Sequence, residues 1–178
     1  IYCFEHYVIK NVLSNFFNFK NRIRINQFIP TGDGCYIVAD ECDSKRALDF
    51  LVALIRGFQY IGKDDPNPWA LRASALFGEC VPFLDLAKHK NYIGEGMNEA
   101  ARILSYGQAA LEKKFLEDNS EAEILDAKLF SRNSLYVGEN LSEELANYLS
   151  SGNKIYQFDN IPDKHGKTRN ISVLQGLK

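Results

Sequence analysis

Between residues 45 and 60 the apolar side chains Leu48, Leu51, Val52, Ile55 and Phe58 return at helical spacing and share one face. Segments of a different period bracket this run, and that alternation limits the fold more than any other feature. Before it, Ile23, Ile25, Phe28 and Ile29, then Cys35-Tyr36-Ile37-Val38-Ala39, flank Thr31-Gly32-Asp33-Gly34. Two β-rich runs around Asp-Gly predict a hairpin. Asp43 or Ser44 is placed to cap the helix that follows. Further upstream, apolar residues at 4, 8, 9, 12, 13, 16, 17 and 19 predict another amphipathic helix.

Downstream, residues 71–77 and 80–86 predict a second hairpin turning at Gly78-Glu79. Met97, Ala100, Ala101 and Leu104 give a small-residue helix face, and the polar stretch 108–129 extends as helix plus an exposed excursion. A short strand is expected at 134–137, a helix at 142–149, and a last hairpin from 154–158 and 171–174. The predicted order is α, ββ, α, ββ, α, α, β, α, ββ. This is an α+β chain with a mostly antiparallel sheet covered by helices, ferredoxin-like or palm-like. No repeat or linker divides residues 1–178, so one domain is expected, and the length suffices for one core.

Composition narrows the function by exclusion. The net charge is −2, which gives no broad basic footprint for nucleic acid. The longest apolar run, residues 47–55, contains Asp49 and is too short to span a bilayer, and no signal peptide is visible. Cys3, Cys35, Cys42 and Cys80 form no C-x-x-C pair, which argues against zinc and predicts free thiols in a reducing, cytoplasmic setting.

Three places carry possible chemistry. Gly32-Asp33-Gly34 puts a carboxylate at a hairpin tip where the backbone can approach a ligand, a position suited to Mg²⁺ with phosphate oxygens. An ordinary Asp-Gly turn accounts for the same residues. Asn98 and Arg102 are four apart, so a helix would aim an amide and a guanidinium at one ligand. A capping Asn and a solvated Arg fit that pair equally. Tyr92-Ile93-Gly94-Glu95-Gly96 is a glycine-rich turn ahead of that helix, where N–H groups can meet an anion.

Taken in order, Pro30-Thr31-Gly32-Asp33-Gly34-Cys35-Tyr36 and Asn91-Tyr92-Ile93-Gly94-Glu95-Gly96-Met97-Asn98-Glu99-Ala100-Ala101-Arg102 resemble the catalytic domain of class III adenylate/guanylate cyclases. The resemblance covers nearly the whole chain from about residue 7 and implies the cyclase variant of the expected fold. It implies conversion of a nucleoside triphosphate to a 3′,5′-cyclic nucleotide and pyrophosphate, in sites between two head-to-tail protomers. Asp33 looks like the second of two aspartates that hold Mg²⁺ or Mn²⁺. Asn98 looks like the residue that orients the ribose, and Arg102 like the one that stabilises the pentavalent phosphorus. Gly32 and Gly34 flank the metal position. A late lysine, Lys164 or Lys167, looks like the triphosphate ligand.

Departures from the pattern bear on substrate. Adenylate cyclases carry a lysine where this chain has Ile29, and an aspartate or threonine where it has Asn91. Ile29 can neither donate to nor accept from a purine edge, so ATP preference is not supported. The hairpin and tail segments, including Asp163-Lys164-His165-Gly166, look closer to the pyrimidine cyclases of Pycsar antiphage defence, which make cUMP or cCMP. The family's first metal aspartate precedes the first helix. This sequence starts with Ile1 near that helix, and Glu5 is a poor substitute, so the aspartate is expected upstream. Its absence here leaves a second reading open, a cyclase-fold nucleotide-binding or regulatory module without catalysis.

Overall fold

A computed structural model describes residues 24–31, 34–40, 43–61, 64, 70–149 and 152–177. The helix expected over residues 4–19, together with Gly32, Asp33, Cys3 and Cys42, lies outside the described residues. The first hairpin is as expected: β1 (Arg24–Pro30) pairs antiparallel with β2 (Cys35–Asp40). Beyond the last pair, the Thr31 N–H donates to the Gly34 carbonyl at 2.9 Å.

Helix α1 (Ser44–Ile61) follows, and of the two expected caps Asp43 is the one used. Its Oδ1 accepts the Arg46 N–H at 2.8 Å, satisfying a donor that the helix leaves without an internal partner. The helix is apolar on two sides. Leu48, Val52 and Ile55 pack with Leu135, Val137 and Leu174, while Phe50, Leu54 and Phe58 pack with Ile25 and Ile37 of the first hairpin. The helix is thus held between the hairpin and the main sheet.

That sheet has the order β3-β6-β8-β7, formed by Ala73–Ala75, Leu135–Gly138, Thr168–Gln175 and Lys154–Pro162. The β3–β6 pair is parallel and the rest is antiparallel, so the fold is α+β with a mostly antiparallel sheet, as expected. Side chains alternate between its faces. Leu135, Val137, Leu174 and Ile155 meet α1; Tyr136, Ile171 and Val173 pack with Ile103 and Leu111 of α2 (Glu95–Asp118). Helices therefore cover both faces. All of β6 is buried, which is why residues 135–138 read as a continuous apolar strand. Gly107 sets how near α2 approaches: a Cβ there would stand 2.8 Å from Tyr136 Cδ1 and 3.0 Å from Ile171 Cγ2.

Two local expectations are corrected. Residues 71–77 and 80–86 do not pair with each other. β3 joins the main sheet, and β4 (Val81–Leu84) pairs antiparallel with β5 (Lys90–Ile93). The turn falls at Asp85, whose Oδ1 accepts the N–H groups of both Ala87 and His89 at 2.9 Å, with Lys88 at φ 63°. A carboxylate that satisfies two turn N–H groups is the stronger turn signal. Gly78 instead marks a crossing, where a Cβ would stand 2.7 Å from Gly96 Cα at the start of α2. The stretch 108–129 is helix plus an exposed excursion, as expected: α2 runs unbroken to Asp118, an exposed turn follows, and α3 (Ile124–Phe130) begins at a capping box formed by Glu123 and Asp126. The helix expected at 142–149 is a single turn, α4 (Glu139–Ser142), continued by a 3₁₀ helix over Glu143–Tyr148. Among the described residues no helix is long and apolar enough to cross a membrane.

Candidate functional site

Asn98 and Arg102 both lie in the first half of α2, one turn apart, on the shared face that their spacing predicts. Asn98 is exposed and Arg102 is half-buried, its side chain 33% accessible. The glycine-rich turn ahead of them is less open to an anion than the sequence implies. The Gly96 N–H already donates to the Glu79 carbonyl at 3.1 Å, because the 78–80 segment crosses there. Gly94 sits at φ 156°, and a Cβ would press on Glu79.

The turn between β7 and β8 comes to the same end of α2. Asp163 organises it: Oδ1 accepts the N–H groups of His165 at 2.8 Å and Lys167 at 2.9 Å, and Gly166 takes φ 78°. Burial raises the Asp163 pKa, but these N–H groups and the Arg169 guanidinium more than offset that and bring it down to about 2. Lys167 reaches back to α2, its Nζ 3.0 Å from Glu95 Oε1. The Lys164 backbone N–H donates to Tyr106 Oη of α2 at 3.4 Å, and its side chain is exposed. Both candidate lysines therefore stand near the helix that carries Asn98 and Arg102.

Arg169 ties these parts together. It sits on β8 on the face that meets α2, and its side chain is 5% exposed. Nε and Nη2 donate to the two oxygens of Glu99, the second at 3.0 Å, and Nη2 also meets Asp163 Oδ2 at 3.0 Å. Nη1 donates to the Lys167 carbonyl at 3.2 Å. Bonding to Glu99 raises the Arg169 pKa, and bonding from Arg169 lowers that of Glu99 against the effect of burial. Glu99 lies between the candidates Asn98 and Arg102, Arg169 and Tyr106 enter the site from outside the candidate motifs, and Asp163 enters from the tail segment. One signal was available: Arg169 shares the inward β period with Ile171 and Val173, and an Arg there requires a buried acid.

The remaining candidates fall into two groups. Asp33, the one assigned to metal, and Gly32 lie outside the described residues. Among the described residues no group of three or more His, Cys, Asp or Glu is placed to hold a metal ion. Gly34 closes the first hairpin, as above. Ile29 is half-buried on β1, opposite Tyr36. Asn91 lies on β5, and its Oδ1 accepts the adjacent Tyr92 N–H at 2.9 Å. β1 lies against β5, so the strands of Ile29 and Asn91 are neighbours.

No protein-family model and no curated protein sequence matches the chain. Two solved structures resemble it in shape. One is the catalytic core of a rhodopsin-guanylyl cyclase with converted specificity, in complex with ATPαS; it shares 11% identity at TM-score 0.47, over 94% of this chain and 76% of the other. The second is the guanylate cyclase domain of RhGC from Catenaria anguillulae in complex with GTP. It also shares 11% identity at TM-score 0.47, over 95% of this chain and 78% of the other.

Proposed function

We propose that residues 1–178 form one nucleotidyl cyclase catalytic domain. It closes a nucleoside triphosphate into a 3′,5′-cyclic nucleotide with release of pyrophosphate. The observation that carries this reading is the meeting of two separate cationic elements. Arg102 on α2 and the lysines of the 163–167 turn, far apart in sequence, share one end of the helix around the Arg169–Glu99 pair. A guanidinium with nearby ammonium groups suits charge that builds on a transferring phosphoryl group. In this reading Asn98 orients the ribose, Arg102 stabilises the pentavalent phosphorus and Lys164 holds the triphosphate. Asp33, flanked by Gly32 and Gly34, would hold Mg²⁺ or Mn²⁺, which would activate the 3′-hydroxyl.

A homodimer completes the proposal. Val81 and Phe83 on β4 and Ile93 on β5 share one face and are 61%, 41% and 61% exposed. Exposed apolar residues grouped in this way suit burial against another protein surface. Ile29 and Asn91 offer no purine-reading lysine and acid, so we assign a pyrimidine triphosphate as substrate and cUMP or cCMP as product. The proposed setting is antiphage signalling in the cytoplasm. Substrate and setting both rest on the resemblance of the hairpin and tail segments. The test is incubation of the purified protein with ATP, GTP, CTP and UTP in Mn²⁺, resolving cyclic product and pyrophosphate. A cyclic pyrimidine nucleotide is expected; no cyclic product from any of the four would contradict the reading.

A second reading, a cyclase-fold module that binds nucleotide without turnover, is favoured by one observation. Glu95 and Glu99 stand beside Lys167 and Arg102 and oppose a polyphosphate at the same place. Tight triphosphate binding without product would select it.

A further inference from the structure

Glu99 stands between two arginines. Arg169 forks onto both of its oxygens, and Arg102 Nη1 lies 3.6 Å from Oε2. An exposed Glu–Arg pair three residues apart on a helix fixes little, because both side chains keep their freedom. This pair differs, because Glu99 is only 17% exposed and its carboxylate plane is set by the buried guanidinium. Glu99 therefore presents a fixed negative point to Arg102 from one helical turn away. On its other side Arg169 holds the Lys167 carbonyl and the Asp163 carboxylate, and Asp163 in turn sets the turn backbone.

We propose that Glu99 and Arg169 are positioning residues. They hold the Arg102 guanidinium in place and lock α2 to the 163–167 turn, so that cations from two elements keep one spacing. The inference rests on the reading that Arg102 and the turn lysines act on a single polyphosphate, and it adds what sets their geometry. Glu99 and Arg169 touch no substrate in this account; they act through Arg102 and the turn. Misplacement of such a group by an ångström lowers turnover more than binding.

Glu99→Gln tests this in the full chain, since it keeps the side chain's shape and one acceptor while removing the charge. Two measurements are made. The first is arginine Nε–H NMR relaxation. In the wild type Arg102 should be ordered; in Glu99→Gln it should become as mobile as the exposed Arg56, while core methyl signals of Val137 and Ile171 stay in place. Equal order of Arg102 in both proteins overturns the proposal. The second is steady-state cyclisation, with kcat falling about tenfold or more and KM changing by less than about threefold. A loss confined to KM overturns it. Arg169→Lys, which keeps a charge but not the fork, should give the same split to a smaller degree; unchanged kcat in that variant also counts against it. A wild-type protein that cyclises no triphosphate would refute the enzyme reading alone, and the NMR measurement would still decide the positioning role.

Discussion

The Arg169 guanidinium donates to the Asp163 carboxylate at 3.0 Å with both side chains closed off from solvent, 5% and 2% exposed. Such a pair is not by itself a large source of stability, because desolvation offsets much of the attraction. Removing one partner is a different matter, since it strands a buried charge. Arg169→Met takes the shared guanidinium from Asp163 and Glu99, leaving the turn N–H groups and Arg102 to offset two largely buried negative charges, and should lower the melting temperature by roughly 10 °C. Thermal unfolding followed by circular dichroism checks this; an unchanged midpoint would show that the cluster is solvated.

Acid should loosen the same region. The Asp163 pKa stands at about 2 in the folded chain against an ordinary 3.8. A carboxyl depressed on folding contributes stability that is complete above its ordinary value and fades as pH falls through its folded value. Stability should therefore drop between about pH 4 and pH 2. Asp163→Asn cannot titrate there, so that component of the decline should be absent. Urea midpoints across that range, compared between wild type and variant, are the measurement.

Gly107 predicts a packing failure that no exposed substitution on α2 should share. A Cβ there already crowds Tyr136 and Ile171, and a β-branched side chain extends further into them. Gly107→Val should cost about 1–3 kcal/mol by overpacking. Ala109→Val on the exposed side of the same helix should cost less than about 1 kcal/mol, set by helix propensity. Chemical denaturation of the two variants separates the effects.

Arg102 should matter to chemistry rather than to folding. Its side chain is one-third exposed, and Glu99 keeps Arg169 as its principal partner when Arg102 is gone. Arg102→Ala should retain the wild-type melting temperature within about 2 °C. It should lose about a hundredfold or more in cyclisation, the scale seen when one preorganised donor to a developing charge is removed. Wild-type turnover in that variant would refute its assigned role.

Much of the fold was readable because period and burial coincide. The amphipathic α1, the wholly buried β6 and the Asp-Gly first hairpin each carry their own local signal, although Phe58, expected on the face of Leu48, joins Phe50 and Leu54 on a second apolar side against the hairpin. The second hairpin was misplaced because Gly78-Glu79 looks like a turn when read locally. The glycine there answers to Gly96, eighteen residues on and invisible to any short-range pattern. Of the candidate site, the Asn98–Arg102 spacing was legible since it needs only a helix. The Glu99–Arg169–Asp163 cluster was not, because it joins α2 to the last hairpin across seventy residues. The β period that Arg169 shares with Ile171 and Val173 marks it as inward, but nothing local names the acids it meets.

In the proposed homodimer the hairpin acid of one protomer and the helix arginine of the other serve one site. Mixing two inactive variants tests it directly. Asp33→Ala and Arg102→Ala homodimers should each be inactive. Unfolded and refolded together, half of the dimers are mixed, and each mixed dimer holds one intact site, so about a quarter of wild-type cyclisation should return. Activity no greater than the sum of the separate variants, in a mixture shown to contain heterodimers, would contradict the shared site.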